Sequence, residues 1–218
     1  MKARIGIFGG TFDPVHLGHI KAAGDVRAAF RLDQVLFVPS FIPPHKMSGT
    51  AASAQDRLRM VELACRGHEG FVASAVEVDA RETSYSILTL ARVRDTFPDA
   101  WIFFILGVDA FLDIGTWREY EGVLAESLFI VIDRPGFDLG EAGAVLGGRL
   151  LGRIHRVLPG EAVDDILLAR FGVFLLSIGA LAISSTEVRA TIQRGDSLAG
   201  LVPGPVESYI REHKLYRG

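Results

Sequence analysis

His16 and His19 stand three residues apart in the stretch Gly9-Gly10-Thr11-Phe12-Asp13-Pro14-Val15-His16-Leu17-Gly18-His19. At the start of a helix that spacing projects both imidazoles from one side, and Gly18 between them leaves space over that face. The paired glycines allow a tight turn and let a ligand approach the backbone without a Cβ in the way. The N–H groups of Thr11 and Phe12 can then face an anion, while Pro14 fixes its own φ. The first turn of a helix adds unsatisfied donors and a partial positive charge. Together these residues describe a phosphate site with two imidazoles placed over it. A zinc pair is a rival reading of the histidine spacing, but no cysteine lies nearby to complete it. Two purely structural histidines are another, and they leave the glycines and Pro14 unexplained. Neither a GxGxxG nor a GxxxxGK[ST] stretch is present, so this is not the usual dinucleotide or Walker loop.

A second cluster lies far along the chain, Ile183-Ser184-Ser185-Thr186-Glu187-Val188-Arg189. Ser184 and Glu187 have capping-box spacing, which sets the hydroxyls at a helix N-terminus. Capping alone accounts for those two residues. It does not require Arg189, which can curl toward the same terminus, where hydroxyls, free N–H groups and a guanidinium suit a polyphosphate.

The middle of the chain holds candidates for reading the rest of a nucleotide. Pro39-Ser40-Phe41-Ile42-Pro43-Pro44-His45-Lys46 is a stiff loop whose His45 and Lys46 suit an acceptor phosphate. Leu106-Gly107-Val108-Asp109 ends the strand pattern Trp101–Leu106, where the Asp109 carboxylate can accept from ribose hydroxyls. Trp117, in Thr116-Trp117-Arg118-Glu119-Tyr120, offers an indole for stacking on a flat heterocycle, and Arg134-Pro135-Gly136 follows the next strand. Taken singly, each has a plain alternative: Trp117 as core, Asp109 as a helix cap, Lys46 as a solvated surface charge.

Elements that position these residues follow from hydrophobic pattern. Strands are expected at Arg4–Phe8, Gln34–Val38, Phe71–Val76, Trp101–Leu106, Leu128–Ile132 and Val173–Ile178, several apolar on both faces as buried parallel strands are. Helices are expected at Gly18–Phe30, Ala54–Cys65, Tyr85–Phe97, Glu119–Ala125, Thr186–Arg194 and Val206–His213, with Ser53 and Ser84 as caps for two of them. Strand–helix alternation predicts an α/β fold, a doubly wound parallel sheet with right-handed crossovers. Ligands then bind beyond the carboxyl ends of the strands, which is where the two clusters fall. The glycine-rich Gly136–Pro159 stretch gives no clear pattern.

Composition narrows the class further. With 218 residues the chain suits one domain, here taken as 1–218 with a small helical part from about 184. A net charge of −3 offers no basic excess for nucleic acid or an anionic membrane. One cysteine, Cys65, excludes an intrachain disulfide framework and a cysteine-rich zinc module. Apolar runs are too short to span a bilayer, and the first residues hold no signal-peptide core, so a cytoplasmic protein is expected.

The first cluster, with Gly-Thr-Phe-Asp-Pro followed by His-Leu-Gly-His, resembles the signature of the nucleotidyltransferase superfamily. Ile183–Arg189 is similar to that superfamily's ISSTxxR segment. The order of Pro-Pro-His-Lys, Ser84-Tyr85-Ser86, Gly-x-Asp, Thr-Trp-x-Glu-Tyr, Arg-Pro-Gly and Leu201–Arg217 resembles the bacterial nicotinate-mononucleotide adenylyltransferases along the whole chain. That resemblance implies a Rossmann-like nucleotidyltransferase fold, an enzyme of the EC 2.7.7 class in NAD biosynthesis, and transfer of AMP from ATP to nicotinate mononucleotide with release of pyrophosphate. It implies His16, His19 and Arg189 as catalytic, and Gly10, Thr11, Phe12, Asp109, Ile183, Ser184, Ser185 and Thr186 as ATP-binding. It implies His45, Lys46, Ser84, Tyr85, Trp117, Arg118 and Arg134 on the acceptor side, the ring stacking on Trp117 and its carboxylate held by backbone amides near Ser84–Tyr85 and Arg118. Magnesium is expected on the ATP phosphates rather than in a site of its own, and a homo-oligomer is compatible with the pattern. The same transfer to nicotinamide mononucleotide or phosphopantetheine is the alternative. Position 86 departs from many relatives, which have Thr there, and Gly136–Gly152 matches poorly. His45–Gly49 is similar to part of the KMSKS loop of class I synthetases, but it comes too early in the chain for that role.

Overall fold

A computed structural model describes residues 2–44 and 49–217. Seven strands form one sheet in the order β3-β2-β1-β4-β5-β7-β6. They are β1 Arg4–Gly10, β2 Gln34–Pro39, β3 Phe71–Ala73, β4 Trp101–Gly107, β5 Leu128–Ile132, β6 Ile154–Arg156 and β7 Val173–Leu176. Strand β1 pairs with β4, β4 with β5, and β7 with both β5 and β6, all in parallel. The chain thus adopts the doubly wound, Rossmann-like arrangement, with the switch in strand order at β1 and β4. Nine α-helices are described: α1 Leu17–Phe30, α2 Ala54–Cys65, α3 Val76–Ala80, α4 Ser86–Thr96, α5 Val108–Leu112, α6 Tyr120–Glu126, α7 Asp165–Arg170, α8 Ser185–Arg194 and α9 Gly204–Glu212. None of the described helices is long and apolar enough to cross a membrane.

The chain makes two compact units, each from three segments. The first holds 1–8, 22–35 and 85–180; the second holds 9–21, 36–84 and 181–218. In the first unit the sheet's apolar strands bury both faces. Phe30 meets Phe103 and Phe174 edge-on at 5.8 and 5.4 Å, and Phe129 stacks beside Phe104 at 5.8 Å. Aromatic pairs in such geometry contribute about 0.5–1.5 kcal/mol beyond area burial. The second unit packs Phe37 between Phe12 and Phe71 at 5.9 and 5.3 Å, with Met60, Val188, Val206 and Ile210 buried.

Most expected boundaries lie within a residue or two of those observed. Ser53 caps α2 as expected, its Oγ accepting from the Asp56 N–H at 3.1 Å. Ser84 does not cap α4. Tyr85 occupies that position, and the Ser84 hydroxyl instead accepts from the Phe41 N–H at 2.9 Å. The strand from Phe71 stops at Ala73, and Val76 opens α3. The last strand stops at Leu176 because Asp133 takes over, accepting from the Ser177 hydroxyl and the Ile178 N–H. The glycine-rich stretch forms 3-10 turns at Leu139–Gly148 and Leu151–Arg153, then the short edge strand β6.

Candidate active site

The first histidine cluster lies wholly in the second unit. Gly9 and Gly10 do not make the tight turn expected of them; both extend β1. The left-handed backbone falls instead at Phe12, with φ +49°. What Gly10 provides is closeness: a Cβ there would lie 3.2 Å from the Phe12 ring. The Asp13–Pro14 peptide is cis.

Beyond this corner α1 begins, and the imidazoles of His16 and His19 stack with centroids 3.6 Å apart. Phe12 supports the pair, meeting the His19 ring edge-on at 5.0 Å. Gly18 leaves room for the stack, since a Cβ on it would sit 3.0 Å from His16 Nδ1, a tight contact. The His16 N–H donates to His19 Nδ1 at 3.2 Å. That bond occupies Nδ1 as an acceptor, so the His19 ring proton resides on Nε2. His19 is thereby prepared as a donor in a fixed orientation.

The second cluster closes on the first. Ser184 caps α8, accepting from the Glu187 N–H at 3.1 Å. The Ser185 hydroxyl donates to the Pro14 carbonyl at 2.9 Å, and Arg189 Nη1 donates to the Asp13 carbonyl at 2.7 Å. Arg189 Nη2 also donates to Thr186 Oγ1 at 3.2 Å. Ile183 lies near Gly18, 3.8 Å from where its Cβ would stand. The two phosphate motifs are therefore one structure. An α8 N-terminus, a half-buried guanidinium and a donor imidazole form a positively polarised corner suited to a polyphosphate.

Sequence reasoning missed the residues behind this corner. Asp13 is buried, and its carboxylate accepts from the N–H groups of Ala51 and Ala52 and from the Tyr216 hydroxyl at 2.7, 3.1 and 2.8 Å. Arg57 is completely buried and donates to the Thr11 carbonyl at 2.7 Å and, more weakly, to those of Phe41 and Ala52. Burial lowers the guanidinium's pKa, opposed by the negative charge of Asp13. An arginine at an inward position of an amphipathic helix pattern was the available signal.

In the first unit, Asp109 lies in the first turn of α5 and its Oδ2 accepts from Arg134 Nη1 at 3.0 Å. A Cβ on Gly107 would collide with the Asp109 carboxylate and approach Arg134, so glycine is required for that pair. Asp109 Oδ1 is buried without a hydrogen-bond partner among the described residues. Trp117 is half-buried and meets Phe104 edge-on at 6.4 Å, leaving ring area uncovered. Arg118 is exposed and lies over the Tyr85 ring at 4.9 Å. Ser84, in the second unit, is committed to the Phe41 backbone through its hydroxyl. His45 and Lys46 lie outside the described residues. Among those residues, no group of three or more His, Cys, Asp and Glu side chains could hold a metal ion.

Comparison with known proteins agrees with this architecture. Residues 7–191 match the model of the cytidylyltransferase-like family. A probable nicotinate-nucleotide adenylyltransferase of Desulfatibacillum aliphaticivorans is 41% identical over 98% of this chain and 99% of its own length. One from Desulfitobacterium hafniense (strain DSM 10664 / DCB-2) is 39% identical over 98% and 96%. The solved structure of Plasmodium falciparum nicotinic acid mononucleotide adenylyltransferase complexed with NaAD superimposes with a TM-score of 0.72 at 20% identity, covering 98% of this chain and 97% of that one, a likeness of fold. The chain therefore belongs to the cytidylyltransferase-like family of nucleotidyltransferases, on its nicotinate-nucleotide adenylyltransferase branch.

Proposed function

We propose that the chain joins the 5′-phosphate of nicotinate mononucleotide to the α-phosphorus of ATP. A phosphate oxygen of the mononucleotide forms the new P–O bond, the bond from the α-phosphorus to the bridging oxygen breaks, and pyrophosphate leaves with its electron pair. The products are nicotinate adenine dinucleotide and pyrophosphate, a step of NAD biosynthesis. The observation that carries this reading is the single corner made by both phosphate motifs, with Arg189 and Ser185 bonded to the Asp13 and Pro14 carbonyls beside the histidine stack.

The attacking phosphate has a second pKa of about 6 and is ionised at neutral pH, so the reaction needs no general base. Catalysis reduces to alignment and stabilisation of charge. His19 donates through Nε2 to the α-phosphate region, with His16 holding it in place. The backbone of Gly10, Thr11 and Phe12 lines the phosphates. Arg189, with Ser184, Ser185 and Thr186, takes the departing pyrophosphate. ATP enters as its magnesium complex, the ion carried by the phosphates.

Asp109 and Ile183 contact the adenosine. The acceptor ring stacks on Trp117, and backbone amides near Ser84–Tyr85 and Arg118 take its carboxylate. Arg134, His45 and Lys46 complete the acceptor group. The names carried by the full-length relatives support nicotinate as the ring. Action in the cytoplasm fits the ATP requirement. The test is pyrophosphate release from ATP with nicotinate mononucleotide, nicotinamide mononucleotide and phosphopantetheine in turn. Turnover is expected to be highest with the first, and preference for either of the others overturns the reading.

A further inference from the structure

Asp13 does two jobs with two ends of one residue. Its main-chain carbonyl holds Arg189 Nη1 at 2.7 Å. Its carboxylate is buried and accepts from three donors: the N–H groups of Ala51 and Ala52 and the Tyr216 hydroxyl. Beside it lies the fully buried Arg57, whose Nη1 grips the Thr11 carbonyl at 2.7 Å. The proposed phosphate loop is thus tied from behind at Thr11 and at Asp13.

Tyr216 is the distant member of this cluster. It is 8% exposed and sits in the left-handed region at φ +64°, which is unusual for a bulky residue. Such a conformation persists only where surrounding contacts determine it, and here the phenol reaches Asp13 Oδ1 at 2.8 Å. The phenol's hydrogen bond is to Asp13, the same residue whose carbonyl holds Arg189.

We infer that Tyr216 is a positioning residue for adenylyl transfer: its hydroxyl fixes the Asp13 carboxylate, and the Asp13 peptide in turn fixes the Arg189 guanidinium at the phosphate corner. The inference rests on the reaction proposed above. Removing the hydroxyl leaves a buried carboxylate one donor short beside a buried cation. Asp13 then re-seats its carboxylate, and its peptide moves with it. A displacement of about an ångström in a positioning group can cost a large factor in rate.

The experiment is a cycle of Tyr216→Phe, Arg189→Ala and the double variant, read as kcat with both substrates saturating. Tyr216→Phe alone is expected to lower kcat about 10-fold while the acceptor KM changes less than about 2-fold. In the Arg189→Ala background the same substitution is expected to change kcat by less than about 2-fold, because residues acting as a unit are non-additive. Tyr209→Phe is the comparator. It removes a phenol that bonds Asp56 at 2.9 Å in the same unit, and kcat is expected to stay unchanged. Equal losses in both Arg189 backgrounds, or a lowered Tm with kcat intact, would overturn the inference. If Tyr216→Phe does not fold, Asp13→Asn enters the same cycle with the same expectations. Wild-type pyrophosphate release from ATP and nicotinate mononucleotide is measured first. If it is absent, the proposed reaction fails, and the cycle is read instead as the Kd of ATP. Weaker ATP binding by Tyr216→Phe only where Arg189 is present upholds the positioning role; no weakening, or equal weakening in both backgrounds, overturns it.

Discussion

Around His16, His19 and Arg189, side chains are held by bonds to backbone or by ring stacking, and the loop beside them is tied at Thr11 by Arg57 and at Asp13 through its buried carboxylate. In the other unit, Trp117 meets the Phe104 ring edge-on at 6.4 Å, and the exposed Arg118 lies over the Tyr85 ring at 4.9 Å with a surface ion pair to Glu119 at 3.2 Å. The first region is preorganised, as stabilising charge in a transition state demands. The second has open ring surface and exposed charge, which suits recognition of a ground-state group. The contrast teaches where a substitution should strike: kcat at the corner, KM at the aromatic group.

The sharpest way to break that contrast is His19→Ala. Loss of a preorganised donor is expected to lower kcat about 10²-fold or more, measured by pyrophosphate release on protein whose circular dichroism matches wild type. Gly18→Ala follows. A new Cβ 3.0 Å from His16 Nδ1 displaces that ring by a few tenths of an ångström, and kcat is expected to fall about 10-fold. Tm is expected to hold or rise, since alanine is the better helix residue. Trp117→Ala should instead raise the acceptor KM about 10-fold through lost stacking, with the ATP KM within about 2-fold. A loss of kcat alone in that variant would erase the distinction between the regions.

The smallest effect is on stability. Burial and the charge of Asp13 push the Tyr216 phenol above its ordinary value, and burial with the Asp56 hydrogen bond pushes Tyr209 to about 12. Both groups are raised relative to an unfolded value of about 10. Their contribution is therefore complete below about pH 10 and declines as pH rises toward and through the folded values. Tm measured from pH 8 to 11 is expected to fall at the alkaline end, and less steeply in Tyr209→Phe.

How much of this was readable beforehand follows the same divide. The local geometry of the two clusters was legible because it depends on spacing: His16 with His19 at the start of one helix, and Ser184 with Glu187 as a cap. The sheet was legible because buried parallel strands are continuous apolar runs. The brace of Asp13, Arg57 and Tyr216 was not, since it joins residues from three distant segments and no local pattern encodes such a meeting. Gly9 and Gly10 misled for a related reason. Glycine permits a turn without requiring one, and at Gly10 it serves close packing against Phe12. Ser84 was misplaced as a cap because a competing backbone donor, Phe41, claims its hydroxyl.

The most direct test is a crystal structure with a non-hydrolysable ATP analogue. Its α-phosphate is expected within hydrogen-bond reach of His19 Nε2, and the outer phosphates at Arg189 and the α8 N-terminus. A triphosphate bound with no oxygen near any of these groups would contradict the account.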